Sequence, residues 1–536
     1  MFYSKFFLLY LILANIFIAI IFLFPKIMIL ELGFLSLLIL SFPVGLTSLK
    51  CFKLNSNSPS ILISVSVGLG FILTSFWLIG SNVFFINPIL ALIPYLISNI
   101  VIFSLFINQY RKKLKNKSTE KILEKFTLSD LFLLILIFTP ITLFVFILNS
   151  FVEPIGTLDL GFHVKLANII LEQGNLEPSF LEDFEWSYPL GFHITLASLS
   201  NLFQIEVYLM SQILILFVLY LIFTAFTTIS YIITRSITIT LGISMAFFFI
   251  PQGLYGSSLF GTFIIGLGPW LLASLYASLG LLILLLFTHK NNFTFYILSI
   301  AFFLGILSTY PPLVVYFSLG IFIYFFIQIK EIKTKAKKSI KYYSIFNFKK
   351  FNFIHFILII FFVGFFYSQI YEMPFRIIDN PDTRGAALGF STALVFHDIL
   401  TYQIFLILLV ITSLSHIFYL KKSYFIAIIF LTILVVTTFS SFFPRIELFL
   451  VPLRMNYFTI LFSWLLAGTM IFEINERLIK KLFLSESSLS KSRLKIIIQK
   501  HLIPIIFLVV SLIIFNESIL ELINIESDFY VSFNKF

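Results

Sequence analysis

Residues 206–233 read EVYLMSQILILFVLYLIFTAFTTISYII, and after Glu206 the run holds no Asp, Glu, Lys or Arg. A helix needs about 20 apolar residues to cross the hydrocarbon core of a bilayer. Only helices and closed barrels can span it, because lipid offers the backbone no hydrogen-bond partners. The run is too long and too uniformly apolar for a barrel strand. It predicts a transmembrane helix, and similar runs occur on either side of it. They lie at 6–24, 28–49, 61–80, 84–107, 131–149, 237–254, 263–288, 294–310, 312–329, 353–371, 399–419, 423–441, 448–472 and 503–519. The expected fold is therefore an all-α polytopic membrane protein with about 13–15 transmembrane helices. The pair 294–329 is either two helices or a re-entrant hairpin, because Tyr310-Pro311-Pro312 interrupts it.

Composition agrees. Of 536 residues, 60% are hydrophobic and 11% charged, whereas a soluble globular surface requires roughly 25% charged residues. Disorder is excluded by the same figures. A disulfide scaffold is excluded because Cys51 is the single cysteine. The N-terminal run after Lys5 is long and lacks a small-residue cleavage site, so it reads as a first anchor and not as a signal peptide.

The net charge of +11 does not point to nucleic acid. Basic residues cluster between spans: Arg111 to Lys125 in 110–130, Lys330 to Lys350 in 330–350, and Arg477 to Lys500 in 474–500. The positive-inside rule places such segments in the cytoplasm, and a cytoplasmic N-terminus puts all three there. The acidic residues follow another logic. The outer segment 150–206 carries Glu153, Asp159, Glu172, Glu177, Glu182, Asp183, Glu185 and Glu206 against one Lys165. Insertion does not require this bias, so it is the first feature that points to function. The chain divides into an N-terminal four-span extension at 1–130, a module at 131–330 that includes the outer loop 150–205, and a C-terminal module at 331–536 with an outer loop at 372–398.

Within the 150–205 loop, Thr157 or Asp159 suits a helix start, and the pattern Phe162, Leu166, Ile169, Ile170 predicts an amphipathic helix over Leu160–Gln173, ended by Gly174. Asp159 and His163 are four apart and share a face of such a helix. A carboxylate beside an imidazole serves as a general base, a metal-ligand pair or a plain hydrogen bond. Further on, Tyr188-Pro189-Leu190-Gly191-Phe192-His193 starts a second helix over Phe192–Leu202, expected to be partly interfacial and to bring Tyr188 and His193 to the membrane surface. Taken singly, Asp159 is accounted for as a cap, His163 as a helix-surface residue and His193 as an interfacial histidine. Taken together they are less easily dismissed, because two of the chain's seven histidines lie in this loop, each near a glycine and an aromatic residue.

Asp159-x-x-x-His163 in the first large outer loop, followed by Tyr188-Pro-x-Gly-x-His193, resembles the membrane glycosyltransferases of the GT-C superfamily, in particular a multi-spanning archaeal and bacterial branch with a Tyr-Pro-x-Gly-x-His signature. The likeness covers about 131–330. It implies a polyprenyl-phosphate-linked sugar donor at the outer face of the cell membrane, and a glycan, lipid or protein acceptor. It also implies a carboxylate at Asp159 that acts as a base on the acceptor or coordinates a metal, with His163 and His193 as the pattern's histidines; where a cation is used, it would be divalent (Mn or Mg), with Asp159 and His163 as its candidate ligands. The chain departs from relatives of that superfamily in three respects. It lacks the Asp-x-Asp of oligosaccharyltransferase catalytic subunits and the adjacent Asp-Glu of protein O-mannosyltransferases, and four spans precede the first matching one.

Glycosyl transfer from a phosphate donor needs cations for the departing phosphate. Outer basic residues are few. Arg376 and Arg384 lie in 372–398, Arg445 follows Pro444, and Arg454 lies inside the span 448–472, where an arginine is a functional candidate by default. With Glu153 and Tyr188, these four are the candidates for substrate contact. Arg454 pairing with Glu447, or snorkelling to the interface, is the competing account. Two other functions compete. A transporter or flippase would bury charges near the midplane, and the deep spans here are almost uncharged. A glycan polymerase would lean on 372–398 instead of Asp159.

Overall fold

Where the structure describes them, the apolar runs are helices. In the computed structural model the described residues are 12–20, 30–51, 59–81, 88–115, 158–173, 190–234, 236–249 and 268–287, parts of 302–317, 427–435, 465–471 and 505–509, and residues 132 and 135. Among them there is no strand. The main helices are α1 (Leu30–Cys51), α2 (Pro59–Ser81), α3 (Pro88–Lys115), α4 (Leu158–Gln173), α5 (Gly191–Phe203), α6 (Val207–Thr234), α7 (Ile237–Phe249) and α8 (Gly268–Phe287). Three contain stretches long and apolar enough to cross a membrane: Glu31–Cys51, Ser60–Ser81 and Val207–Thr234. The protein is thus helical and membrane-associated by the make-up of its helices.

The described residues form two compact units. The first contains α1 to α5, α6 as far as Ala225, α8 and the helical residues 304–309. In it α1 and α2 cross closely. A methyl group on Gly45 would collide with the carbonyl of Ser66, and one on Gly70 with the carbonyl of Ser41. Pairing 45 with 66 and 41 with 70 makes the helices antiparallel, and small residues four apart on each helix permit the approach. Phe34 and Phe71 set their rings edge-on against Phe217, at 5.3 and 5.1 Å, and so bind α6 to both helices. The α8 helix joins α2 through Leu279 on Gly68 and through a 2.6 Å bond between the hydroxyls of Ser75 and Tyr276. In α6 no described residue is exposed.

Along α3, by contrast, Leu96, Ile97, Ile100 and Phe103 are exposed at helical spacing, while Ala91, Tyr95, Ser98 and Ile102 are buried. Water would not tolerate that outward stripe; lipid would. Several hydroxyl groups inside the helices are satisfied locally. Ser36, Ser48, Ser64, Ser274 and Ser278 each donate to the carbonyl four residues back, the usual solution where no water is at hand.

The second unit contains α6 from Phe226, α7 and the described residues of 313–317 and 427–509. Here Thr227 and Ser244 share a 2.9 Å hydroxyl bond between α6 and α7, and Gly468 lies against the side chain of Ile243.

Candidate functional site

The two helices expected in the outer loop both form. The first begins at Leu158, so Asp159 belongs to its first turn and does not precede it as a cap; Thr157 lies outside the described residues. The apolar face is the one read from the pattern only in part: Leu166 and Ile170 are buried as expected, and Phe162 is not. Phe162 is 39% exposed, and the buried positions are Leu160, His163, Leu166, Ala167 and Ile170. That set advances by three or four residues at each step, as one helical face must, and it puts an imidazole among the buried groups. His163 is 2% exposed. It is not a helix-surface residue.

The second helix, α5, forms close to the expected bounds. It runs from Gly191 to Phe203, and every residue except Asn201 is buried. Protein closes it off on nearly every side. Leu190 precedes it without a side-chain cap. Gly191 explains how it comes so near its neighbours. A methyl group there would lie 2.5 Å from the backbone oxygen of Ser308, so only glycine lets α5 meet the 304–309 helix. At its other end Gln204 adopts φ 53°, and its N–H donates to Ser200 O.

These packings bring His163 and His193 together across thirty residues of chain. Nδ1 of His163 and Nε2 of His193 are 2.9 Å apart, a hydrogen bond in which one nitrogen donates and the other accepts. His193 is fully buried. Phe192 sets its ring edge-on to both imidazoles, at 5.9 Å from His163 and 5.6 Å from His193, and Phe162 flanks His163 at 5.5 Å. Phe192 is itself held by Gly268 at the start of α8, where a side chain would strike its ring. The pair is thus enclosed by aromatic carbon.

Asp159 stands four residues before His163 in α4. Glu153, Tyr188, Arg376, Arg384, Arg445 and Arg454 lie outside the described residues. As for a divalent cation, no group of three His, Cys, Asp or Glu side chains gathers among the described residues. The two facing imidazole nitrogens are committed to each other. Among the described side chains, therefore, no donor set for the cation is assembled. The residues that spacing did not disclose are Ser308, whose carbonyl receives Gly191, and Phe192, which encloses the pair. Gly191 was the only sequence signal of the first contact.

No protein-family model matches the chain, and neither a curated protein nor a solved structure matches it.

Proposed function

We propose that this protein is a GT-C-like glycosyltransferase that takes a sugar from a polyprenyl-phosphate donor at the outer face of the cell membrane, with its N-terminus in the cytoplasm. The observation that carries the proposal is the 2.9 Å bond between His163 and His193. It joins the two halves of the loop motif, Asp-x-x-x-His and Tyr-Pro-x-Gly-x-His, at one place beside the helix that bears Asp159. The acidic bias of 150–206 and the helices long enough to cross a membrane support the same proposal.

In this mechanism the Asp159 carboxylate takes the proton of the acceptor hydroxyl or amide. The acceptor atom bonds to the anomeric carbon while the bond from that carbon to the phosphate oxygen breaks. The electron pair leaves with polyprenyl phosphate, and the ring passes through an oxocarbenium-like transition state. Arg454, with Arg376, Arg384 and Arg445, offsets the charge of the departing phosphate.

The test compares purified wild type with Asp159→Asn against a panel of polyprenyl-phosphate sugars and a mixed lipid and peptide acceptor pool. Wild type is expected to consume a donor. The variant should fold but lose about 100-fold or more of the turnover, as expected for a missing general base. Equal consumption by both would remove Asp159 from the chemistry and move the site to Arg454 and 372–398. If wild type consumes no donor, the proposal fails, and substrate uptake into liposomes would test the transporter alternative.

A further inference from the structure

We infer that the His163–His193 hydrogen bond is a latch that fixes α4 on α5, and that both histidines are positioning residues instead of proton carriers. The packing of the two helices is unequal. Among the described helices α4 packs closely on α5 alone, whereas α5 also packs on α2, α3 and α8. Among the described helices, the position of α5 is therefore set by α2, α3 and α8, and that of α4 by α5.

On the face that α4 buries, His163 is the one polar side chain among the described residues. On α4 the buried positions are Leu160, Leu166, Ala167 and Ile170 with His163; on α5, Phe192 and Ile194 lie either side of His193. Apolar surfaces attract without fixing register, because the hydrophobic effect is non-directional. A hydrogen bond does fix it, since its strength falls steeply with distance and angle, and breaking it leaves a buried polar atom unsatisfied. The 2.9 Å bond is thus the directional element in this contact. Exposures of 2% and 0% keep both rings from water and from any bound substrate, which a proton carrier must reach. The charged groups of α4 that are described, Lys165 and Glu172, lie on its exposed side.

What the latch positions is the first turn of α4, and with it Asp159. That assignment rests on the proposed function; the latch itself does not.

The test exploits the two different nitrogens. Nδ1 of His163 stands where the amide of asparagine reaches, and Nε2 of His193 where the amide of glutamine reaches. Hydrogen exchange of the α4 amides is followed by mass spectrometry in full-length protein in detergent. His163→Ala and His193→Ala are expected to speed exchange by about five-fold, the equilibrium worth of one net hydrogen bond. His163→Asn and His193→Gln should restore the wild-type rate, whereas His163→Gln and His193→Asn should not. Donor turnover by the same proteins should fall in kcat with KM unchanged, and return with the two rescuing amides.

Unchanged exchange in both alanine variants, or no difference between matched and mismatched amides, would overturn the latch. Restored exchange without restored kcat would overturn the positioning role, since it would mean that the imidazoles themselves carry protons. If exchange follows the expected pattern but wild type consumes no donor, the latch stands and the glycosyltransferase proposal falls.

Discussion

Gly161 lies in α4 and Gly191 starts α5, and the structure asks opposite things of them. A methyl group at Gly191 would meet the Ser308 carbonyl at 2.5 Å, while one at Gly161 would have nothing within 4 Å. Backbone cannot yield as the tip of a side chain can, so Gly191→Ala must push α5 away from the 304–309 helix. The expected loss is about 1–3 kcal/mol, the usual cost of overpacking. Gly161→Ala should instead gain about 0.5–1 kcal/mol, because alanine is the better residue inside a helix. Thermal unfolding of the two variants in detergent checks both, and a Gly191→Ala protein as stable as wild type would remove the close approach. This contrast also marks what spacing discloses. The position of Gly191 in Tyr-Pro-x-Gly-x-His announced a close backbone contact. No pattern could name its partner, which lies more than a hundred residues away. His163 shows the same limit. Its spacing from Asp159 was plain, but its burial depended on which side of α4 met α5, and Phe162 pulled the sequence estimate of that face the wrong way.

At the scale of elements, helices were legible because long uncharged runs have a single solution in lipid, and α1, α2 and α6 each fall close to the runs read at 28–49, 61–80 and 206–233. Their pairing was not legible, since residues such as Leu and Ile present similar surfaces on every side. It is decided by small and polar residues at specific heights. Ser75 and Tyr276, 201 positions apart, share a buried 2.6 Å bond that fastens α2 to α8. Its worth follows from a double-mutant cycle on Ser75→Ala and Tyr276→Phe. The expected coupling is about 0.6 kcal/mol, typical of hydrogen bonds between membrane helices, since the opened state finds other partners too. The C-terminus of α5 offers a second, opposite case. Gln204 holds φ 53°, a left-handed conformation that a side chain resists. Gln204→Gly relieves this at a helix end that already bonds back to Ser200. It should raise the midpoint of thermal unfolding, whereas the same substitution inside α5 would lower it.

For the whole molecule, one atom suffices to test the orientation read from the sequence. Cys51 is the single cysteine of the chain and is exposed. It ends α1 beside Lys50 and Lys53, and the antiparallel crossing of α1 with α2 keeps the short connection between them on one side of the bilayer. The positive-inside rule assigns that side to the cytoplasm, together with the basic segments 110–130, 330–350 and 474–500. On the sequence reading α2 leads outward, α3 returns toward Arg111 to Lys115, and the apolar run 131–149 takes the chain out again, so that Cys51 and the loop 150–205 are expected to face opposite compartments. A membrane-impermeant maleimide is expected to label Cys51 in inverted vesicles and not in right-side-out ones, with detergent making the two alike. Labelling confined to right-side-out vesicles would put Asp159 and the histidine pair in the cytoplasm. A donor whose sugar is presented at the outer face could not then reach Asp159, and the proposed chemistry would lose its substrate before any residue of the site had been changed.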